Sequence, residues 1–391
     1  MTVPRLEIDL EKIHHNASTL VKRLRLRGIS VTGVTKATLG SPEIAGVLLQ
    51  AGVRSIGDSR IENLETLHGA GILAPMTLIR SPMMSQVERV VAHADVSFNT
   101  ELEVIGKLSD AAYESDRTHG IVLMVELGDL REGIMPEDLL NTVRGTLRCR
   151  NIVLKGIGTN LASRSGVSPD AGNMAELSAL ADSIDAAFGL TLDIVSGGNS
   201  GNLQWAFGAG GTGRINDLRL GESILLGVEP LHRQPIHGLY TDAITLVAGV
   251  IESKVKPSQP WGNIGQTAFG AKPAVKDRGL VSQAILAIGH QDTDPEGLTA
   301  SCGIEIVGAS SDHLILNLGN NNSTVGAEIT FQPNYSALLR AMTSPFVTKI
   351  VRARSTMPEL TGANSSRPVQ IMPIRHRDVL RESRRQTIRD F

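Results

Sequence analysis

Ile29-Ser-Val-Thr-Gly-Val-Thr-Lys-Ala-Thr-Leu-Gly40 is the segment from which the fold of this chain can be inferred. Its β-branched run is typical of a buried strand, and it ends at Lys36, ahead of a loop and a helix that begins near Ser41. A lysine in this place is well suited to form a Schiff base, because desolvation lowers the pKa of its amine. The same side chain could instead extend from the strand end into solvent, and this segment alone does not decide between the two.

The composition is that of a soluble protein with room for two domains. The chain has 391 residues and a net charge of −2, which gives no indication of a nucleic-acid or membrane surface. Cys149 and Cys302 lie far apart without metal-ligand spacing, as expected in a reducing cytoplasm. No apolar run reaches the roughly 18 residues of a membrane span, and the first residues lack a signal-peptide core. We therefore expect a cytoplasmic protein without a metal site.

Strand-like and helix-like segments alternate from residue 29 to about residue 225. Eight strand-then-helix units predict an α/β fold, a (β/α)8 barrel of the TIM type, since a doubly wound sheet usually has fewer units and a switch point. The predicted strands are 31–34, 53–56, 76–79, 95–98, 121–125, 153–157, 192–195 and a weaker one near 217–218.

The candidate site follows from the barrel, whose chemistry is located at the carboxyl ends of its strands. All eight of these positions are polar in this sequence. They are Lys36, Asp58-Ser59-Arg60, Arg80, Asn99, Glu126, Asn160, the segment 196–200 and Arg219.

A second domain is predicted after the barrel, where alternating apolar segments are separated by Gly, Pro, Asp and Asn. This pattern is typical of an all-β domain, and the alternating segment 5–10 is expected to pair into it. The basic tail could be a solvated extension or could dock on a partner subunit. The expected domains are a barrel over 11–227, a C-terminal all-β domain over 228–351 that includes 1–10, and a basic extension over 352–391.

Two glycine-containing segments near the end of the barrel are candidate phosphate sites. Ser196-Gly-Gly-Asn-Ser-Gly201 would present free backbone N–H groups and the positive end of a helix dipole to an anion. Arg219-Leu-Gly-Glu222 follows the eighth strand, and barrels favour phosphate after strands seven and eight. Each segment alone could be an ordinary helix cap. Together with Lys36 they predict a site for pyridoxal 5'-phosphate.

These motifs resemble the alanine racemase family, the fold type III group of pyridoxal phosphate enzymes. The resemblance rests on Lys36 in VTKA, Arg131 in ELGDLREG, Asn199-Ser200 and Arg219-Leu-Gly, which occur in the family's order. The segments DSRIENL, ELGDLREGI and GIEIVGASSDHLIL look closest to the ornithine racemase branch. The resemblance implies a barrel with a C-terminal β domain and a homodimer whose active sites are shared between subunits.

The resemblance also implies roles for single residues. Lys36 would bind the cofactor covalently and act as one acid–base group, while Arg219 would face the pyridine nitrogen. Because an arginine keeps its proton, this nitrogen would stay unprotonated and the electron sink would be weak, as suits a racemase. Arg131 would hold the cofactor's phenolic oxygen or the substrate carboxylate, although a surface salt bridge is its more usual role. The further cofactor-binding residues are Asn160, Asn199, Ser200, Gly221 and Glu222.

The sequence departs from the family at the second base. The family has a tyrosine in a turn that here reads Gly289-His-Gln-Asp292. We expect His290 to act as the second base from the partner subunit, since a histidine can accept or donate a proton near neutral pH. The alternative is a turn histidine bonded to Asp292 or Asp294.

Three other positions depart from the family or extend its pattern. Asn160 stands where the family has a histidine behind the pyridine-facing arginine, and the family's tyrosine soon after the lysine has no counterpart in 37–40. Asp312 lies where the family's C-terminal domain approaches the active site of the other chain, so it could bind a substrate ammonium there, or it could be an exposed turn residue.

The predicted function is a pyridoxal phosphate-dependent amino-acid racemase that acts on ornithine, lysine or a broader set. A fold type III decarboxylase or aldolase is the alternative, although an aldolase would require a metal-ligand cluster that the spacing does not provide. A non-catalytic pyridoxal phosphate-binding protein is the third possibility, and such proteins resemble the barrel but lack the β domain.

Overall fold

The computed structural model describes residues 2–267, 269–270 and 277–352. The predicted basic extension lies outside these ranges apart from Arg352. Within the described ranges, no helix combines the length and the apolar character needed to cross a bilayer.

The chain begins with β1 (Arg5–Asp9) and continues into a closed barrel of eight parallel strands. The barrel closes between its first and last strands, where Thr32 lies opposite Arg219. The predicted barrel is confirmed, and the ends of the observed strands differ from the predicted ends by no more than two residues. The strands are β2 (Ser30–Val34), β3 (Ser55–Asp58), β4 (Met76–Leu78), β5 (Val96–Asn99), β6 (His119–Met124), β7 (Ile152–Gly158), β8 (Ile194–Ser196) and β9 (Asp217–Leu220).

Helices follow the strands, and local signals fix where they begin. In α1 (Leu10–Arg25) the carboxylate of Asp9 accepts the N–H groups of Glu11 and Lys12, and an apolar stripe at three- and four-residue spacing is buried. The other helices of the barrel are α2 (Pro42–Gln50), α3 (Ile61–Gly69), α4 (Val87–His93), α5 (Leu102–Glu114), α6 (Leu139–Thr146), α7 (Ala171–Phe188), α8 (Leu203–Ala206) and α9 (Glu222–Leu226).

The second domain is β-rich and mainly antiparallel. Its strands are β10 (Ile244–Pro257), β11 (Leu280–Leu286), β12 (Leu298–Ala300), β13 (Glu305–Ala309), β14 (Leu314–Asn317), β15 (Glu328–Pro333) and β16 (Thr348–Arg352). The sheet has the order β12-β15-β10-β11-β14-β13. The N-terminal strand β1 pairs with β10 and β16, so it joins this domain as expected.

One helix, α10 (Tyr335–Thr343), interrupts this domain, which the all-β prediction did not include. The side chain of Asn334 caps it by accepting the N–H of Ala337, and its apolar face is buried. The helix packs against the turn Lys36–Thr38 that follows β2. The second domain therefore reaches the carboxyl end of the barrel, where the site was predicted.

Candidate active site

A cavity of about 550 Å³ lies at the carboxyl ends of the barrel strands. Eight of the ten predicted site residues line it, although they are distributed from residue 36 to residue 222. These are Lys36, Arg131, Asn160, Asn199, Ser200, Arg219, Gly221 and Glu222.

Lys36 opens the short turn after β2 and is half-buried in this cavity. Burial lowers the pKa of its amine, and the positive charges of Arg131 and Arg219 lower it further, while Asp58 acts in the opposite direction. Its Nζ lies 5.8 Å from the centre of the Tyr335 ring. Among the described residues Lys36 has no ion-pair partner. A larger fraction of this amine is therefore neutral near pH 7 than for an exposed lysine, which favours attack on an aldehyde.

Arg219 lies in the cavity floor and is only 5% exposed. Its guanidinium donates to Ser196 Oγ over 2.6 Å, to the carbonyl oxygen of Thr159 over 2.8 Å and to Asn160 Oδ1 over 3.1 Å. Burial lowers the pKa of Arg219 to about 10, against the opposing effect of Asp217. The group is still charged at neutral pH, so the cavity floor presents a fixed cation.

The buried carboxylate of Asp217 was not predicted from the sequence. Its Oδ2 accepts from Ser196 Oγ over 2.5 Å and its Oδ1 from Thr32 Oγ1 over 2.7 Å. Burial raises the pKa of Asp217, while these hydroxyls and Arg219 oppose that rise. The Asp217-x-Arg219 spacing could have indicated the pair, because residues two apart on a strand share a face.

Asn160 has one amide nitrogen available to a ligand. Its Oδ1 accepts from Arg219 and, over 3.2 Å, from Asn199 Nδ2, whereas its Nδ2 is buried and has no hydrogen-bond partner among the described residues. A buried donor without a partner is costly, so a bound acceptor is the natural complement. This unpaired donor beside a fixed cation fits an aromatic cofactor that carries oxygen or nitrogen acceptors.

Asn199 makes helix-capping contacts, which were the alternative interpretation of its segment. Its Oδ1 accepts the N–H of Gly201 over 2.7 Å, and its Nδ2 donates to the carbonyl oxygen of Leu161 over 2.8 Å. The preceding Gly198 has φ +145°, and a Cβ there would lie 2.1 Å from Asn202 Oδ1. Glycine is thus required for this turn.

Ser200 and the start of α9 form the candidate phosphate site. The Oγ of Ser200 accepts the N–H of Ser223 over 3.1 Å and lies 3.0 Å from Ser223 Oγ. Gly221 and Glu222 line the cavity beside it. Burial raises the pKa of Glu222, an effect opposed by Arg233, with which its carboxylate forms an ion pair, and by Lys36.

Arg131 lies on a loop whose shape is fixed by carboxylates. Glu126 accepts the N–H groups of Gly128, Leu130 and Arg131 itself. The guanidinium pairs with the neighbouring Glu132 and donates to Ser163 Oγ over 2.7 Å. The salt bridge considered from the sequence is therefore present, and it lies within the cavity.

Asp129 connects this loop to the loop after β7. The residue is 1% exposed, and its carboxylate accepts N–H groups of Ser163, Arg164, Ser165 and Val167. Burial would raise the pKa of Asp129, but these four donors outweigh it and hold the pKa below its usual value. The two loops therefore form one unit that positions Arg131.

His290 and Asp312 lie together on the second domain and are not among the described residues that line this cavity. The N–H of His290 donates to the carbonyl oxygen of Ser310 over 3.0 Å, and its ring centre lies 4.3 Å from that of Phe269. Asp312 is exposed and its Oδ1 lies 3.0 Å from His313 Nδ1. Both residues were predicted to act on the partner's cavity, and that remains a prediction.

The alternative considered for His290 was a bond from its ring to Asp292 or Asp294. Among the described residues, these two carboxylates bond to other side chains. Asp292 accepts from Ser344 Oγ over 2.7 Å, and Asp294 accepts from Ser336 Oγ over 2.5 Å.

Several cavity residues were missed by the sequence interpretation. Tyr335 comes from the helix that was not predicted, and burial, with the negative charge of Glu222, raises the pKa of its phenol. Arg233 comes from the loop after α9, and Glu132 also lines the cavity, as does Arg80, one of the polar strand-end positions identified from the sequence. Among the described residues, no group of three or more His, Cys, Asp or Glu side chains is arranged to hold a metal ion.

The comparisons with known proteins agree with this geometry. The family model described as alanine racemase, N-terminal domain, matches residues 8–230. An ornithine racemase of Acetoanaerobium sticklandii is 40% identical over 351 residues, which cover 88% of this chain and 99% of the relative. A lysine racemase of Thermotoga maritima is 38% identical over 352 residues, with 90% and 99% covered. The crystal structure of an alanine racemase from Streptomyces lavendulae superposes with a TM-score of 0.70 at 17% identity, covering 90% of this chain and 98% of that one.

Proposed function

This chain belongs to the alanine racemase family and is a pyridoxal phosphate-dependent amino-acid racemase, and we propose that it acts on ornithine, lysine or a similar amino acid. The observation that supports the proposal most strongly is the placement of Lys36 and Arg219 in one cavity. The first is an amine with a lowered pKa, and the second is a buried cation with fixed hydrogen bonds. Two relatives bear the names of ornithine and lysine racemases, which supports the substrate class.

Pyridoxal phosphate, when bound, withdraws electrons from the α-carbon of an amino acid and so acidifies its α-hydrogen. In the proposed arrangement Lys36 binds the cofactor aldehyde and then holds or releases a proton at Nζ on one side of the α-carbon. His290 of the partner subunit supplies the proton-accepting or proton-donating nitrogen on the opposite side. Two groups on opposite sides are what racemisation requires, since a single base would return the proton to the side from which it came.

Arg219 would face the ring nitrogen of the bound cofactor. Its guanidinium is charged at neutral pH and is a poor acid, so it would keep its proton and leave that nitrogen unprotonated. The bound cofactor would then be a weaker electron sink than with a carboxylate partner, which suits a racemase. Asn160 fixes Arg219 from behind through its Oδ1 and offers its free Nδ2 to the cofactor.

The remaining predicted residues divide between phosphate and substrate. Ser200 and the backbone at Gly221 and Glu222 bind the phosphate. Asn199 shapes this site through its capping bonds. Arg131 binds the phenolic oxygen or the substrate carboxylate from its clamped loop.

The proposal includes a homodimer in the cytoplasm, with each active site completed by the partner subunit. It is supported by the position of His290 and Asp312, which share one corner of the second domain apart from the cavity of their own chain. Asp312 of the partner subunit would receive the side-chain ammonium of the substrate. The cysteines Cys149 and Cys302 are unpaired, in keeping with a reducing compartment.

Exchange of the α-hydrogen in deuterated water tests this function across a panel of L-amino acids. We expect L-ornithine or L-lysine to gain one deuterium and to lose optical rotation without release of carbon dioxide. Release of carbon dioxide would identify a decarboxylase, and an aldehyde product from a β-hydroxy amino acid would identify an aldolase. Cofactor absorbance without exchange on any substrate would indicate a non-catalytic binding protein.

A further inference from the structure

The loop that follows α9 is constrained more tightly than a surface connection requires. Gly227 ends the helix at φ +66°, and a β-bridge joins Val228 to Pro235. Within this loop the carboxylate of Glu229 accepts the N–H groups of Leu231, His232 and Gln234. The loop is therefore held by the β-bridge at its base and by the hydrogen bonds from its backbone N–H groups to Glu229.

Arg233 is the residue that this conformation strains. Its φ is +60°, in the left-handed region that is unfavourable for a non-glycine residue. Strain of this kind persists where the surrounding bonds impose it, and such residues concentrate at functional sites. Arg233 lines the cavity next to Glu222, with 57% of its side chain exposed.

The guanidinium of Arg233 retains donors for a ligand. Nη1 forms the ion pair with Glu222, and this is the one partner that Arg233 has among the described residues. An arginine carries five N–H donors in a planar fork, and that fork matches the oxygens of a phosphate. Most of these donors are therefore free to bind an anion in the cavity.

Glu222 makes a cation at this position necessary. Its side chain is half-buried, with 13% exposure, and Glu222 lies between Gly221 and Ser223, the residues that border the candidate phosphate site. A phosphate with nearly two negative charges beside an uncompensated carboxylate would be repelled, since like charges interact strongly where water is excluded. The ion pair with Arg233 offsets this repulsion, and burial raises the pKa of Glu222 while Arg233 opposes that rise.

We propose that Arg233 binds the phosphate of pyridoxal phosphate and that Glu222 positions its guanidinium for this contact. The proposal rests on the proposed function, because it requires the cofactor to occupy this cavity. It adds to Ser200 and the backbone donors a charged group from outside the barrel loops. It also explains why the loop after α9 maintains a strained arginine.

Binding of two aldehydes to the apoprotein tests this assignment. Pyridoxal phosphate and pyridoxal, which lacks the phosphate, are titrated by absorbance against the wild type, Arg233→Gln and Arg278→Gln. Arg278 forms an exposed pair with Glu305 in the second domain and serves as the matched control. We expect Arg233→Gln to weaken pyridoxal phosphate binding by about 10- to 100-fold and to leave pyridoxal binding unchanged. Arg278→Gln should change neither.

Two further variants separate the effect of the positive charge from that of the guanidinium geometry and of the neighbouring carboxylate. Arg233→Lys keeps the charge without the fork and should fall between the wild type and Arg233→Gln. Glu222→Gln removes the repulsive carboxylate together with the partner that positions Arg233, so it should weaken pyridoxal phosphate binding less than Arg233→Gln does. Added to Arg233→Gln, it should restore part of the lost affinity. Circular dichroism confirms that each variant is folded.

The outcomes distinguish this inference from the function on which it rests. Equal affinity of Arg233→Gln and the wild type for pyridoxal phosphate would overturn the assignment, and so would an equal loss for both aldehydes. If the wild type binds pyridoxal phosphate no better than bulk protein, the proposed function itself fails.

Discussion

Asp217 and Arg219 are joined inside the barrel by a single hydroxyl, that of Ser196. The hydroxyl accepts from the arginine and donates to the carboxylate, and Thr32 donates to the other carboxylate oxygen. A carboxylate that accepts at both oxygens has the hydrogen-bonding pattern of the ionised form. Asp217 is therefore the buried counter-charge of Arg219, the cation proposed to face the cofactor ring, and Ser196 is bonded to both groups.

Replacement of Ser196 by alanine should affect both the stability and the cofactor. Asp217 and Arg219 would each lose a buried hydrogen bond, which costs about 1–3 kcal/mol of unfolding free energy. The guanidinium would also be free to turn, so the visible absorbance maximum of the bound cofactor should shift. Urea unfolding and an absorbance spectrum measure the two effects.

Ser183→Ala is the matched control for this change, because Ser183 is exposed on α7 and donates only to the carbonyl oxygen of Ala179. It should alter the unfolding free energy by less than about 0.5 kcal/mol. If Ser196→Ala behaves like this control in both measurements, the hydroxyl does not position Arg219.

His119 should make the stability of the protein dependent on pH. The ring is 1% exposed, and its Nε2 lies 2.8 Å from Ser97 Oγ. Burial lowers the pKa of His119 to about 4 from its ordinary value of 6.5. Below pH 6.5 the unfolded chain binds a proton that the folded chain excludes, so stability falls as the pH is lowered from 6.5 towards 4.

The loss from this one group should approach about 3 kcal/mol at pH 4. Urea unfolding of the wild type and of His119→Gln between pH 4 and pH 8 measures it. The variant should be less stable at pH 8 but should lose less stability on acidification. Parallel curves for the two proteins would show that His119 titrates normally in the folded state.

Asp129 should control the mobility of the loops around Arg131. Asp129→Asn replaces one acceptor oxygen by an amide that cannot accept the N–H groups of the segment 163–167. We expect amide hydrogen exchange in that segment to accelerate and KM for the amino acid to rise. The unfolding free energy should fall by about 1–3 kcal/mol.

The control for the loop experiment is Asp193→Asn, an exposed carboxylate that lies 3.0 Å from Lys155 Nζ. It should leave exchange in 163–167 unchanged. Unchanged exchange in Asp129→Asn as well would mean that the carboxylate does not clamp the loop.

Mixing two inactive variants tests whether the active site is shared between two subunits. Lys36→Ala removes the amine of one site, and His290→Phe removes the proposed second base. If the groups come from different subunits, a hybrid dimer has one intact site, and an equal mixture should recover about a quarter of the wild-type activity after subunit exchange.

A chain that carries both substitutions, treated in the same way, gives the background for this experiment. If the mixture shows no more activity than this background, either both groups belong to the same subunit or His290 is not the second base. Full activity of His290→Phe on its own would also exclude it as the second base.

The barrel could be predicted from the sequence because its strands are short apolar runs bounded by polar residues. The site residues at the strand ends then followed from the geometry of such barrels, and Lys36, Asn160 and Arg219 do line one cavity. The second domain was harder, since α10 is a nine-residue helix between two strands. Its cap at Asn334 and the spacing of its apolar residues were signals that the alternating pattern around them obscured.

The parts that depend on distant contacts could not be predicted. Arg233 gains its importance from the buried carboxylate of Glu222 and from a loop held by Glu229, and neither relationship has a signature in the sequence. The burial of Asp217 depends on closure of the barrel, which brings β9 beside β2. His290 and Asp312 were chosen for action across a dimer, so a single chain leaves them as predictions.

The amine of Lys36 is proposed to carry the cofactor. Reduction of the holoprotein with borohydride, followed by digestion and mass spectrometry, should place one pyridoxyl group on the peptide containing Lys36. Lys349 is an internal control, because burial lowers its pKa as well, yet it lies on β16 and is not among the described residues of the cavity. A pyridoxyl group on Lys349 or another lysine, or the absence of any pyridoxyl group, would show that Lys36 does not carry the cofactor.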